Sequence, residues 1–78
     1  MNNNRRKALA KLSERIDQLK ADLDDVKDDE QNAYDNLPES FQSGEKGTAM
    51  ESAISYLEDA VQSLEEALSN IENATNNC

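Results

Sequence analysis

Apolar residues recur along this chain at spacings that alternate between three and four. In the first half they are Leu9, Leu12, Ile16, Leu19, Leu23 and Val26, then Ala33 and Leu37, with Glu30 standing where the ladder needs another apolar residue. In the second half they are Met50, Ile54, Leu57, Val61, Leu64, Leu68 and Ile71. Two apolar positions in every seven make a narrow seam for another helix, not the broad stripe of an ordinary surface helix. The fold class this predicts is all-α, with one helix over about residues 4–36, a corner over 37–44, a second helix over about 45–74 and a frayed C-terminus.

The two seams match when the chain folds back about Ser43 and Gly44. Ile16 then meets Ile71, Leu19 meets Leu68, Leu23 meets Leu64, Val26 meets Val61, Ala33 meets Ile54 and Leu37 meets Met50. On the flank, Lys20 is expected to reach Glu65 and Lys27 to reach Glu58. Such exposed pairs contribute little energy, but they disfavour a slipped register. The expected architecture is therefore an antiparallel two-helix coiled-coil hairpin forming one small domain.

The second helix carries another periodic set, Ala49, Ala53, Tyr56, Ala60, Ser63, Ala67, Asn70 and Ala74. Small residues let helices approach closely, and a lone hairpin buries only one seam against the conformational entropy of the whole chain. This face is expected to join two hairpins into a four-helix bundle, a homodimer. The alternative occupant is a foreign protein.

Composition removes several classes of function. The chain has 78 residues, of which 36% are hydrophobic, with no Trp and no His. It is too short to enclose a large dry cleft. No Ser or Cys stands beside a plausible base, so no catalytic residue is expected. No run of about 18 apolar residues is present, so no membrane span is expected. The basic start has no apolar block after it, unlike a secretory signal. The single cysteine, Cys78, reads as a frayed end and not a nucleophile, and a lone cysteine points to a cytoplasmic protein. The acidic run at residues 22–30 fails as a calcium loop, because Val26 falls on a ligand position and no Gly follows it. No metal and no cofactor are expected.

Net charge is −9 and unevenly spread. Residues 1–27 carry seven Lys/Arg against five acids, whereas residues 28–78 carry Lys46 alone against twelve. The whole should repel duplex nucleic acid. An acidic rod could instead imitate a row of phosphates and block a DNA- or RNA-binding protein. Arg5, Arg6 and Lys7 sit at a helix start, where the end of the second helix and Glu72 can compensate them; a small anion site is the alternative. Glu30 at a seam position would face Leu57, and its expected part is to set register.

Residues 34–47 hold the only Pro, both Gly and the only Phe. Leu37 before Pro38 ends the first helix. Asn36 with Glu39 is expected to cap a short helical turn, and Ser43 or Thr48 with Glu51 to cap the second helix, with Leu37 and Phe41 folded over the bundle end. Gly47 weakens the first turn of the second helix. Tyr34, Leu37, Phe41 and Lys46 could together form a recognition tip, or the corner could be structural only.

The run Glu30, Ala33, Tyr34, Asp35, Asn36, Leu37, Pro38, Glu39, Ser40, continued by Gly47, Met50, Glu51, Ala53, Ile54, Leu57, Glu58 and Ala60, resembles short acidic helical proteins of unassigned activity. These belong to prophages and mobile elements of Gram-positive and gut bacteria. The resemblance spans about residues 20–70, and the corner is its most distinctive part. It implies a helical hairpin and an accessory role, such as an inhibitor or adaptor of a host protein, and supplies no catalytic residue or ligand.

Overall fold

The alternating three-and-four spacing produces two long helices. In the computed structural model, which describes residues 1–77, α1 spans Asn3–Asp35, α2 is the short helix Glu39–Gln42 and α3 spans Glu45–Asn76. Cys78 lies outside the described residues, and so does the reading of it as a frayed end. Among the described residues every element is a helix and there is no strand. α1 packs along α3, and α2 packs on α3 at the corner. The molecule measures 58 × 16 × 12 Å. Its radius of gyration is 17.6 Å, against about 11.5 Å for a compact chain of this length.

The ends of the helices obey capping chemistry, though not always with the expected residues. Asn2 caps α1 by accepting from the Arg5 N–H at 2.9 Å. Asn36 closes the C-terminus of α1 through its own backbone N–H and does not cap the next turn; Pro38 holds that place with no side-chain bond. Ser43 is the last residue of the α2 turn, in a helical conformation, and its hydroxyl donates back to the Glu39 carbonyl. An N-cap needs extended backbone, which Gly44 adopts instead, without a side-chain bond. Thr48 falls inside α3.

The corner depends on Gly47. It is one of the two buried residues of α3, the other being Ile54. A Cβ on Gly47 would stand 2.0 Å from the Gln42 carbonyl oxygen and 2.4 Å from its carbon. The feature that reads in sequence as a weak first turn is the point where α2 lies against α3, a contact only Gly permits. Gln42 is held from the other side as well: its side-chain amide donates to the carbonyls of Tyr34 (3.1 Å) and Leu37 (3.2 Å). The Tyr34 carbonyl, in the last turn of α1, also accepts from the Leu37 N–H at 3.0 Å, and the Leu37 carbonyl lies just past the helix end.

The largest departure from expectation is the rotation of α1. Most of its half-buried residues form two rows: Leu9, Ile16, Leu23 and Glu30, continued past its end by Leu37, and beside them Arg6, Ser13, Lys20, Lys27 and Tyr34; Asp24 and Gln31 are half-buried as well. The other half of the predicted seam, Leu12, Leu19, Val26 and Ala33, is exposed, with Leu19 and Val26 each at 54%. Leu19, Val26 and Ala33, expected to meet Leu68, Val61 and Ile54, thus lie toward the open margin of the seam. α3 keeps its predicted seam, with Met50, Leu57, Val61, Leu64, Leu68 and Ile71 half-buried and Ile54 buried at 8% exposure. The physical reason lies in the second row of α1. Lys20 and Lys27 lay aliphatic stems, and Tyr34 its ring, along the seam while their polar ends reach outward. That row covers the gap on one side and leaves the opposite side open.

Candidate functional site

Two sides of the hairpin differ in chemistry. On the first, polar side chains bridge the helices. Lys20 Nζ lies 3.7 Å from Glu65 Oε1, the pair expected from sequence. The Tyr34 hydroxyl donates to Glu51 Oε1 across the corner end. Both pairs obey the same register, two heptads apart, so the arithmetic that finds Lys20 and Glu65 also finds Tyr34 and Glu51, had Tyr34 been read as a flank residue. Lys27 does not use Glu58; it pairs with Asp24 of its own helix at 3.5 Å, a neighbour one turn away. The Glu51 hydrogen bond, then burial and the negative charges of Glu51 and Asp35, raise the Tyr34 phenol above its ordinary value of 10.0.

Further along the same side, near the chain ends, Arg6, Ser13, Asp17, Leu68, Glu72 and Thr75 line an open groove of about 440 Å³. Arg6 thus stands beside Glu72 and the last turn of α3, as charge compensation requires. Arg5 and Lys7 are exposed and outside that groove. Lys46, at the corner, is at the opposite end of the rod from the three basic residues.

Among the described residues, the second side holds no bridge of this kind. It presents three rows: Leu12, Leu19, Val26 and Ala33 from α1; Ala53, Ala60, Ala67 and Ala74 from α3; and, next to these, Ala49, Tyr56, Ser63 and Asn70. Heptad geometry places them together. Residues 20 and 65 lie on the bridged side, so residues 19 and 67, displaced the other way around their helices, lie on the open one. Ala53, Ala60 and Ala67 are half-buried at the edge of the seam; the remaining nine positions are exposed, Tyr56 at 75%. None of the twelve is charged, although 32% of the chain is. The sequence picks out the α3 half of this surface; the α1 half emerges only once α1 is seen to be turned.

Among the four residues of the corner, Phe41 and Lys46 are exposed, while Leu37 and Tyr34 are half-buried and Tyr34 is tied to Glu51. Among the described residues, no cluster of acids or Cys gathers as a metal site, and no helix is long and apolar enough to cross a membrane. No family model, curated protein or solved structure matches the chain.

Proposed function

We propose that this chain is a non-enzymatic interaction protein: a hairpin that self-associates into a four-helix bundle and acts by binding another protein through the surfaces left outside. The observation that carries the reading is the open side, where Leu12, Leu19, Val26 and Tyr56 are exposed along a strip without charge. Large apolar side chains aligned at heptad spacing are cover for a helix, and isolated surface leucines are not arranged this way. The resemblance to short acidic prophage proteins supplies a setting, the inhibition or adaptation of a host protein inside the cell. Phe41 and Lys46 at the corner and the carboxylates on the bridged side are the surfaces available for that contact. Sedimentation equilibrium over a concentration series tests the first step. A dimer is expected, and Ala60→Glu should lower the mass to that of one chain; a wild-type protein that stays monomeric at high concentration would remove self-association from the reading.

A second reading has one observation in its favour. Seventeen acidic residues along a 58 Å rod amount to about one per 3.4 Å, the spacing of phosphates along one nucleic-acid strand. On this reading the protein occupies the channel of a DNA- or RNA-binding partner. It predicts competition with nucleic acid for that partner, weakening steeply as salt rises. Binding that is insensitive to salt would reject it.

A further inference from the structure

The open side is specific enough to say how a second copy sits on it, an inference that rests on the self-association just proposed. The area comes first. The chain exposes 5775 Å², whereas a folded monomer of its mass exposes about 4,700 Å². The difference of about 1,000 Å² is close to the roughly 800 Å² each partner buries in a standard stable interface. The excess follows from the elongated shape, and its size is what one long side would bury against a second copy.

Register comes next. The Lys20–Glu65 and Tyr34–Glu51 pairs fix which residues of α1 and α3 share a level along the rod. By that register, Leu12 is level with Ala74, Leu19 with Ala67, Val26 with Ala60 and Ala33 with Ala53. Each large residue of the α1 row shares its level with an alanine of the α3 row. Two open sides can meet face to face about a two-fold axis along the rod or about one across it. An axis across the rod puts α1 on α1 and α3 on α3, so leucine faces leucine or valine, and alanine faces alanine. An axis along the rod preserves every level and puts α1 of one copy on α3 of the other, large on small at the Leu12, Leu19 and Val26 layers and alanine on alanine at Ala33, which is how packed layers interdigitate.

The rims agree. With the axis along the rod, the outer row of α1, Arg15, Asp22 and Asp29, comes level with Asn70, Ser63 and Tyr56 of the second copy. Carboxylates then meet hydroxyl donors and not other carboxylates, which matters in a chain of net charge −9.

We propose that two copies of this chain close their open sides about a two-fold axis parallel to the rod, with Leu12, Leu19 and Val26 of each seated on Ala74, Ala67 and Ala60 of the other and both corners at the same end. Every neighbouring pair of helices in that bundle is antiparallel, the simplest four-helix arrangement. The bridged sides face outward, so Tyr34, Lys20 and the Arg6 groove stay accessible and each working surface is present twice.

The test uses full-length chains with Cys78→Ser and one new cysteine each. Leu19→Cys and Ala67→Cys chains are mixed in equal amounts, with Val26→Cys and Ala60→Cys as a second pair, after circular dichroism shows each helical. Under mild oxidation the expected product is the mixed disulfide, formed at least several-fold more readily than either homodimer. Efficient Leu19→Cys homodimers without mixed product would overturn the axis while leaving self-association in place. A wild-type chain that sediments as a monomer would overturn both. Leu19→Asp should weaken dimerisation at least tenfold while its monomer stays helical, and an unchanged dimer would also overturn the proposal.

Discussion

Single residues set the corner, and two of them can be tested without disturbing the rest. Gly47→Ala would drive a methyl group into the Gln42 carbonyl, 2.0 Å away, so the α2 turn must move off α3. A loss of about 1–3 kcal/mol is expected by chemical denaturation, the usual range for overpacking a fitted contact. Gly44 is the control. A Cβ there would meet the Phe41 and Ser40 carbonyls at 3.5 and 3.7 Å, ordinary contact, and Gly44→Ser at the head of α3 should be neutral or gain a few tenths of a kcal/mol. Tyr34 gives a dependence on pH. Its phenol is the donor to Glu51, and its pKa is raised in the folded state. The stabilisation is fully present below the unfolded value near 10 and is lost as pH rises through the folded value, when a phenolate would face a carboxylate. Thermal stability should therefore fall off above about pH 10, and Tyr34→Phe should flatten that fall.

At the level of the elements, the connection between α1 and α2 relies on one amide. Gln42→Ala removes two hydrogen bonds, to the Tyr34 and Leu37 carbonyls, and should cost about 1–2 kcal/mol, with the loss of helicity beginning at the corner. Lys20→Gln should cost under about 1 kcal/mol, because the Glu65 pair is partly solvated. The same elements show what a sequence can and cannot disclose. Periodicity finds both helices, their antiparallel register and the whole α3 seam, because apolar spacing reports which residues need cover. It does not report which of two neighbours supplies the cover. Leu19 and Val26 satisfy the ladder equally well whether they face α3 or a second copy. The choice turns on lysine stems and a tyrosine ring, which a count of apolar residues passes over. Gly47 was hidden for a related reason: a glycine near a helix start looks like weak propensity until the opposing backbone is known. The bond from Tyr34 to Glu51 was within reach of the same register arithmetic that finds Lys20 and Glu65.

The whole molecule is a rod with its charge on the outside. In the proposed dimer two chains of net charge −9 meet across a strip whose own positions carry no charge, with Arg15, Asp22 and Asp29 only at its rim. Screening should therefore favour assembly, and dimerisation is expected to tighten several-fold between about 0.02 and 0.5 M salt, the reverse of an interface held by ion pairs. Unfolding should in turn depend on protein concentration, with the midpoint rising as the chain is concentrated. The register of the hairpin also orders its assembly in time. Tyr34 and Glu51 are 17 residues apart, Lys20 and Glu65 are 45 apart, and the groove residues Arg6 and Thr75 are further still. Once the corner has closed the shortest loop, each rung brings the next within reach, and doubling a loop costs only about 0.6 kcal/mol. The hairpin is expected to close as a zip, from Gly47 toward the termini, and to open in the opposite sense. Amide exchange should then form a gradient, slowest around Ile54 and fastest at the end that holds Arg6 and Thr75, so that one end of the rod is a fixed hinge and the other is where the two helices first come apart.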